Sequence, residues 1–131
     1  MKIYQGIDIV EISKFRKVFI NNRDLVRDIF TEKEIGYCES RKDPYLHFAG
    51  RFAVKEAGLK ALGVGMSGTG IDHAFKEIET LPGASGKPQL SFNGWIEKIC
   101  RKKRIDQLTV SISHSANYAV AAVILTGADA V

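Results

Sequence analysis

The chain has 131 residues, 45% of them apolar, with nineteen Lys and Arg against fifteen Asp and Glu, for a formal net charge of +4. That length suits one domain with a real core, and no apolar run approaches the ~20 residues of a membrane span. A modest basic surplus favours anionic partners without naming them, while Cys38 and Cys100, far apart and outside any CxxC spacing, suggest neither a disulfide framework nor a zinc site.

The opening MKIYQGIDIVEI lacks the long apolar core and small-residue cleavage site of a secretory signal, so a cytoplasmic protein is expected. Ile3, Ile7 and Ile9 share one side of a period-two pattern and Gly6, Asp8 and Val10 the other, which predicts a buried strand over residues 2–12. Asp8 is its anomaly. An acid between Ile7 and Ile9 needs a cation, a proton or backbone donors to offset burial. Ser13 is placed to cap a helix running to about Ile20, with Phe15, Val18 and Phe19 inward and Lys14 and Lys17 outward. Arg23 and Arg27 continue the basic character. Thr31 and Glu34 form a capping-box pattern for a short helix through about Glu39, and Pro44 suits the first position of the next one.

That next helix carries FAGRFAVKEAGLKALG, residues 48–63. On a wheel of about 100° per residue, Phe48, Phe52, Leu59 and Leu62 make one stripe and Ala49, Ala53, Ala57 and Ala61 much of the opposite face. Almost no solvent face remains, so Arg51, Lys55, Glu56 and Lys60 sit at the margins of packed surfaces and need partners. Glu56 and Lys60, four apart, form either a simple intrahelical ion pair or a site in which the acid holds a cation and the lysine an anion.

Beyond it, Gly63, Gly65 and Gly68 spell a literal GxGxxG, but it follows a helix and leads toward a strand, the reverse of a dinucleotide fingerprint, and reads as loop. HAFKEIET at 73–80 alternates well enough for a strand, PGASGKP at 82–88 is a turn, and Gln89–Phe92 a returning strand. A helix over about 94–103 ends in the cations RKKR of residues 101–104, which complement a helix C-terminus. Two β-rich segments, 108–113 and 118–125, make a hairpin around the connector 114–117, the second strand nearly all apolar. His114 among Ser113 and Ser115 is a polar turn residue or a phosphate donor. The domain is expected to span 1–126, with 127–131 a disordered tail. No GxSxG elbow is present.

Three stretches in this order, GIDIVEI with Asp8, FAGRFAVKEAGLKALG with Glu56 and Lys60, and SISHS with His114, resemble the holo-acyl-carrier-protein synthases, the small class of 4′-phosphopantetheinyl transferases. The match runs from Gly6 to about Ile124. The resemblance implies an α+β single domain, an antiparallel sheet packed on a long central helix. It implies transfer of 4′-phosphopantetheine from coenzyme A to a serine of apo acyl carrier protein, releasing adenosine 3′,5′-bisphosphate and supporting fatty acid biosynthesis. Asp8 and Glu56 would ligate Mg²⁺, a set that suits a hard ion keeping some waters, and Lys60 would stabilise charge at the reacting phosphates.

By the same matching, Arg51, Lys55, His114 and Ser115 would bear on the coenzyme A nucleotide and Gly86, Lys87 and Pro88 would border its adenosine. The nucleophile belongs to the carrier, in keeping with the missing elbow. Its proton would go to a metal-bound water or a carboxylate. Glycine stands at position 36, where some relatives carry an acid, although Glu34 lies close. An acidic carrier would dock on the first helix through Lys14, with Lys17, Arg23 and Arg27 nearby, while Asn21 and Asp24 depart from the more arginine-rich pattern of the family. The resemblance also implies a homotrimer with active sites between subunits, and no nucleic-acid or membrane partner. The reading from a different class, a nucleic-acid-binding domain built on RKKR, needs surface aromatics, and Trp95 and Phe92 are expected in the core.

Overall fold

Strand β1 (Lys2–Glu11) runs directly into helix α1 (Ile12–Phe19), followed by α2 (Arg23–Ile29), α3 (Glu32–Glu39) and the long helix α4 (Pro44–Leu62). A short helix α5 (Ile71–Glu77) leads into a two-stranded hairpin, β2 (Ile78–Pro82) and β3 (Pro88–Phe92). Helix α6 (Gly94–Lys102) then precedes β4 (Ile105–His114) and β5 (Tyr118–Gly127). This computed structural model describes residues 1–64 and 71–129, without the side chains of 71 and 72. The main sheet is antiparallel in the order β1-β5-β4. The architecture is α+β, with α4 lying on the inner face of that sheet and buried along most of its length.

Several local expectations hold. Thr31 accepts from the Glu34 amide while the Glu34 side chain accepts from the Thr31 amide, the reciprocal capping box. Pro44 stands at the N-terminus of α4, and Gly63 closes it in the left-handed region, φ 71°. The remaining glycines of the GxGxxG pattern, Gly65 and Gly68, lie outside the described residues, as do residues 130–131.

Other expectations need correction. Ile3, Ile7 and Ile9 are 61–65% exposed, because α4 packs on the opposite side of β1. The reason is Gly6: a Cβ there would fall 1.9 Å from the Ala57 carbonyl oxygen, so this face alone admits a helix backbone that close. Ser13 does not cap α1. Glu11 holds the N-cap position and Ser13 Oγ donates to Glu11 at 3.1 Å, since the strand enters the helix with no turn between them. Val18 is exposed, so α1 buries Ile12, Phe15 and Phe19 instead.

The expected strand at 73–80 is α5 and the start of β2. Ala74, Phe75 and Ile78 are the buried apolar residues, a helical spacing that packing made decisive over the alternation. Trp95 is half exposed, whereas α6 buries Ile96 and Cys100. Strand β5 continues through Gly127, one residue into the expected tail, and the N-terminal ammonium donates to Asp129 at 3.0 Å. Cys38 and Cys100 are both free and buried, and burial pushes their thiols up to about 12 and about 11. Among the described residues no helix is long and apolar enough to cross a membrane.

Candidate active site

The contact between Gly6 and Ala57 also fixes the direction of the side chain two residues further along β1. With period two, Asp8 points to the same face as Gly6 and meets α4 one turn from its closest approach. There Lys60 Nζ donates to Asp8 Oδ1 at 2.8 Å and to the Ile7 carbonyl at 3.1 Å. Lys60 therefore pairs across to β1 and not with Glu56 along its own helix, which sets aside the intrahelical pair. Glu56 lies beside them, and its carboxyl is held above the usual value by burial first and by the Asp8 charge second, with Lys60 opposing. Asp8, Glu56 and Lys60 share the wall of one open cavity of about 620 Å³ with Glu11, Lys14 and Phe52.

A second, smaller cavity of about 160 Å³ is lined by Tyr37, His47, Arg51, Gly86, Pro88 and His114, among others. Arg51 is only 4% exposed, its guanidinium 4.4 Å from the centre of the Tyr37 ring, and its Nε has no hydrogen-bond partner among the described residues. Gly50 makes room for His114, since a Cβ there would sit 2.7 Å from His114 Nε2. Arg51 and Glu56 are five residues apart on α4, so they point about 140° from each other. The two cavities accordingly open on different sides of one helix.

Not every residue expected at the site reaches it. Lys55 is fully buried, and its three donors go to Glu34 Oε1 at 2.8 Å, the Phe75 carbonyl at 2.7 Å and the Ile78 carbonyl at 2.6 Å. It therefore has no donor left for a nucleotide. Burial pulls its pKa below the ordinary lysine value, and the carboxylate of Glu34 acts against that. Glu34 is equally buried and also accepts from the Thr31 and Thr80 amides, so it is no candidate for the proton acceptor. Ser115 Oγ accepts from the amides of Asn117 and Tyr118 and so shapes the β4–β5 turn. Lys87 stands between Gly86 and Pro88 in the β2–β3 turn but is not part of the cavity wall.

Most of the expected docking cations are also paired. Arg23 donates to Glu39, Lys14 lies 3.7 Å from Glu11 and Arg27 3.9 Å from Asp24. Among the described residues Lys17 alone of these four has no acidic partner within 4.0 Å. Sequence reasoning missed His47, Tyr37 and Glu11. His47 had a readable signal, since it precedes Arg51 by one helical turn and so shares its face.

A carboxylate pair with a lysine in one cleft, and a buried arginine with two histidines in another, on a small α+β domain, offer charges and donors suited to phosphoryl groups. The model of the 4′-phosphopantetheinyl transferase superfamily matches residues 5–123. The holo-[acyl-carrier-protein] synthase of Geobacter sp. strain M21 is 42% identical over 121 residues, covering 92% of this chain and 94% of that one. That of Caldanaerobacter subterraneus subsp. tengcongensis is 33% identical over 98% of each. The solved complex of ACPS with CoA described for Chronobacterium ammoniagenes superposes with a TM-score of 0.84 at 28% identity, covering 98% of this chain and all of that one. The chain belongs to the 4′-phosphopantetheinyl transferase superfamily, among the holo-[acyl-carrier-protein] synthases. Its reaction is the transfer of 4′-phosphopantetheine from coenzyme A to apo acyl carrier protein.

Proposed function

We propose that the two cavities are the halves of one coenzyme A site, completed when the nucleotide cavity of one copy meets the carboxylate cleft of another in a homotrimer. The observation that carries this is the placement of Asp8, Glu56 and Lys60 in one cleft while Arg51 and His114 line a separate one on another side of α4. On one copy the two open on different sides of the helix, with Arg51 and Glu56 directed about 140° apart. A covering for the outer sheet face is also wanting: Ile3, Ile7 and Ile9 stand exposed there with Ile124, and Ile7 and Ile124 border a hollow of about 400 Å³.

Asp8 and Glu56 fit a hard divalent cation. Burial first and the Asp8 charge second lift the Glu56 pKa, and a cation between the two carboxylates would relieve the second. Among the described residues no three His, Cys, Asp or Glu side chains form a closed metal cage, and two carboxylates with open positions suit Mg²⁺ shared with substrate phosphates. When bound, Mg²⁺ would polarise the phosphoryl oxygens and neutralise charge on the departing bisphosphate. Lys60, more than half exposed, brings its ammonium to the same cleft and stabilises charge on the phosphoryl group in transfer. Arg51 and His114 bind the nucleotide, with Gly86 and Pro88 against the adenosine. The carrier serine approaches past Lys14 at the cleft rim, where the carboxylates available to its proton are Asp8, Glu11 and Glu56. Lys14 and Lys17 attract the acidic carrier, and the reaction takes place in the cytoplasm.

Mass spectrometry of an apo carrier incubated with coenzyme A, Mg²⁺ and the protein should show the gain of one phosphopantetheine. Asp8→Ala and Glu56→Ala should each abolish the gain and weaken Mg²⁺ binding by calorimetry, with an unchanged circular dichroism spectrum. Full activity in both variants would overturn the metal assignment. Light scattering should give three copies per particle, and Ile7→Glu should yield an inactive monomer.

A further inference from the structure

His47 lies outside the carboxylate cleft and occupies the wall of the smaller cavity beside Arg51 and His114. Its ring lies 5.9 Å from that of His114, steeply inclined, and 5.8 Å from that of Tyr37, edge on. Arg51 stands one helical turn along, 96% buried and with its Nε unpartnered among the described residues. One fixed cation and two imidazoles thus surround about 160 Å³ of space that no acid among the described residues lines. We propose that His47 acts with His114 as a proton-operated clamp on a phosphate monoester of the nucleotide, so that the ligand binds with uptake of protons by this pair of rings. This rests on the reading of the cavity as the nucleotide half of the coenzyme A site.

The charges facing the pair come from every element around it. From α4, Arg51 faces both rings; from the segment before that helix come Arg41 and Asp43; from α3 comes Tyr37 and from β4 His114 itself. The β2–β3 turn contributes Gly86 and Pro88 to the wall, with Lys87 between them outside it. Cations prevail. Burial first, then Arg51, His114 and Arg41, hold His47 below the ordinary histidine value, with only Asp43 opposing. Burial and Arg51 hold His114 down as well, against the backbone of Leu46. Both shifts favour the neutral form of the rings before a ligand enters.

A phosphate monoester carries close to two negative charges at that pH, with its second pKa near ~6. Placed among these groups it reverses the local field, and each imidazole becomes easier to protonate. Each pKa unit gained by a ring would strengthen binding by about tenfold once that ring is charged. Affinity should then rise as pH falls from 8 to 6.5, before the ligand itself takes up a proton.

The test is calorimetric titration of the whole protein with adenosine 3′,5′-bisphosphate, in buffers of different ionisation enthalpy, which counts the protons taken up on binding. The wild type should show net uptake at pH 7. His47→Gln and His47→Phe, neither of which titrates, should each lose a measurable share of that uptake and flatten the rise in affinity between pH 8 and 6.5. Circular dichroism guards against misfolding, and two variants of different shape separate loss of titration from loss of packing. Wild-type uptake in both His47 variants would overturn the proposal. Arg51→Ala distinguishes the failures: if it weakens binding while the His47 variants keep full uptake, only the clamp is wrong. If it leaves binding intact, the cavity is not the nucleotide half-site and both readings fall.

Discussion

Helix α4 presents two lysines five residues apart, each bonded to a carboxylate from a distant element, and the two pairs differ in nearly every other respect. Lys55 and Glu34 are both 0% exposed, and every donor of the lysine is used. Lys60 is 55% and Asp8 17% exposed, and among the described residues the lysine makes two hydrogen bonds. The first pair joins α3, α4, α5 and β2 and has no face toward solvent. The second stands in an open cleft where a ligand can compete for either partner. The same chemistry thus serves as a fastening where it is enclosed and stays within reach of a ligand where it is open.

The largest effect expected from breaking this contrast is on Lys55. Lys55→Met leaves Glu34 charged, buried and without its cation, a loss of about 3–5 kcal/mol, measurable by urea unfolding. Lys60→Met should cost under about 1 kcal/mol of stability, because its pair is solvated. It should nevertheless slow carrier modification by about a hundredfold to a thousandfold. If the two variants lose stability equally, the distinction fails.

Gly6→Ala comes next. The new methyl meets the Ala57 backbone, so β1 and α4 must part, at about 1–3 kcal/mol. Asp8 should move away from Glu56, and Mg²⁺ affinity should fall by more than stability alone explains, a result calorimetry can check. A smaller effect concerns pH. His47 and His114 have lowered pKa values in the fold, so the unfolded chain binds more protons than the native one as pH drops. Their contribution is therefore present above the unfolded value near ~6.5 and is lost as pH falls through the lowered folded values. The thermal midpoint of the ligand-free protein should decline over that range, and less so in His47→Gln. The smallest expected change is in carrier docking. Affinity should weaken as salt rises, but shallowly, because Lys14, Arg23 and Arg27 already have acidic neighbours. A dependence that vanishes in Lys17→Ala would sharpen the point.

Much of the fold and the site was legible because local chemistry and global packing agreed. The Thr31–Glu34 capping box, Pro44 and Gly63 mark helix ends through their own backbone requirements, and the structure keeps all three. Asp8 stood out as an acid among isoleucines and Glu56 as an acid at the margin of a packed helix, and the fold brings them to one cleft. Where the reading failed, the deciding information lay elsewhere in the chain. Which side of β1 is covered depends on a clearance at Gly6 that appears only when α4 is laid on it. Helix α2 escaped notice because its N-cap, Asn22, lies in a run of polar residues. Lys55 looked like a ligand-facing cation because the sequence does not reveal that Glu34 and two carbonyls lie above it.

The depth of Cys38 gives that enclosed fastening a built-in reporter. The thiol is wholly buried, close enough to feel the charges of Arg51, Glu34 and Lys55, and with a pKa of about 12 almost none of it is the reactive thiolate at neutral pH. An alkylating reagent can modify it only when the α3–α4 seam opens. Its labelling rate, followed without any engineered probe, therefore measures how often the native protein breathes at its most tightly bound point.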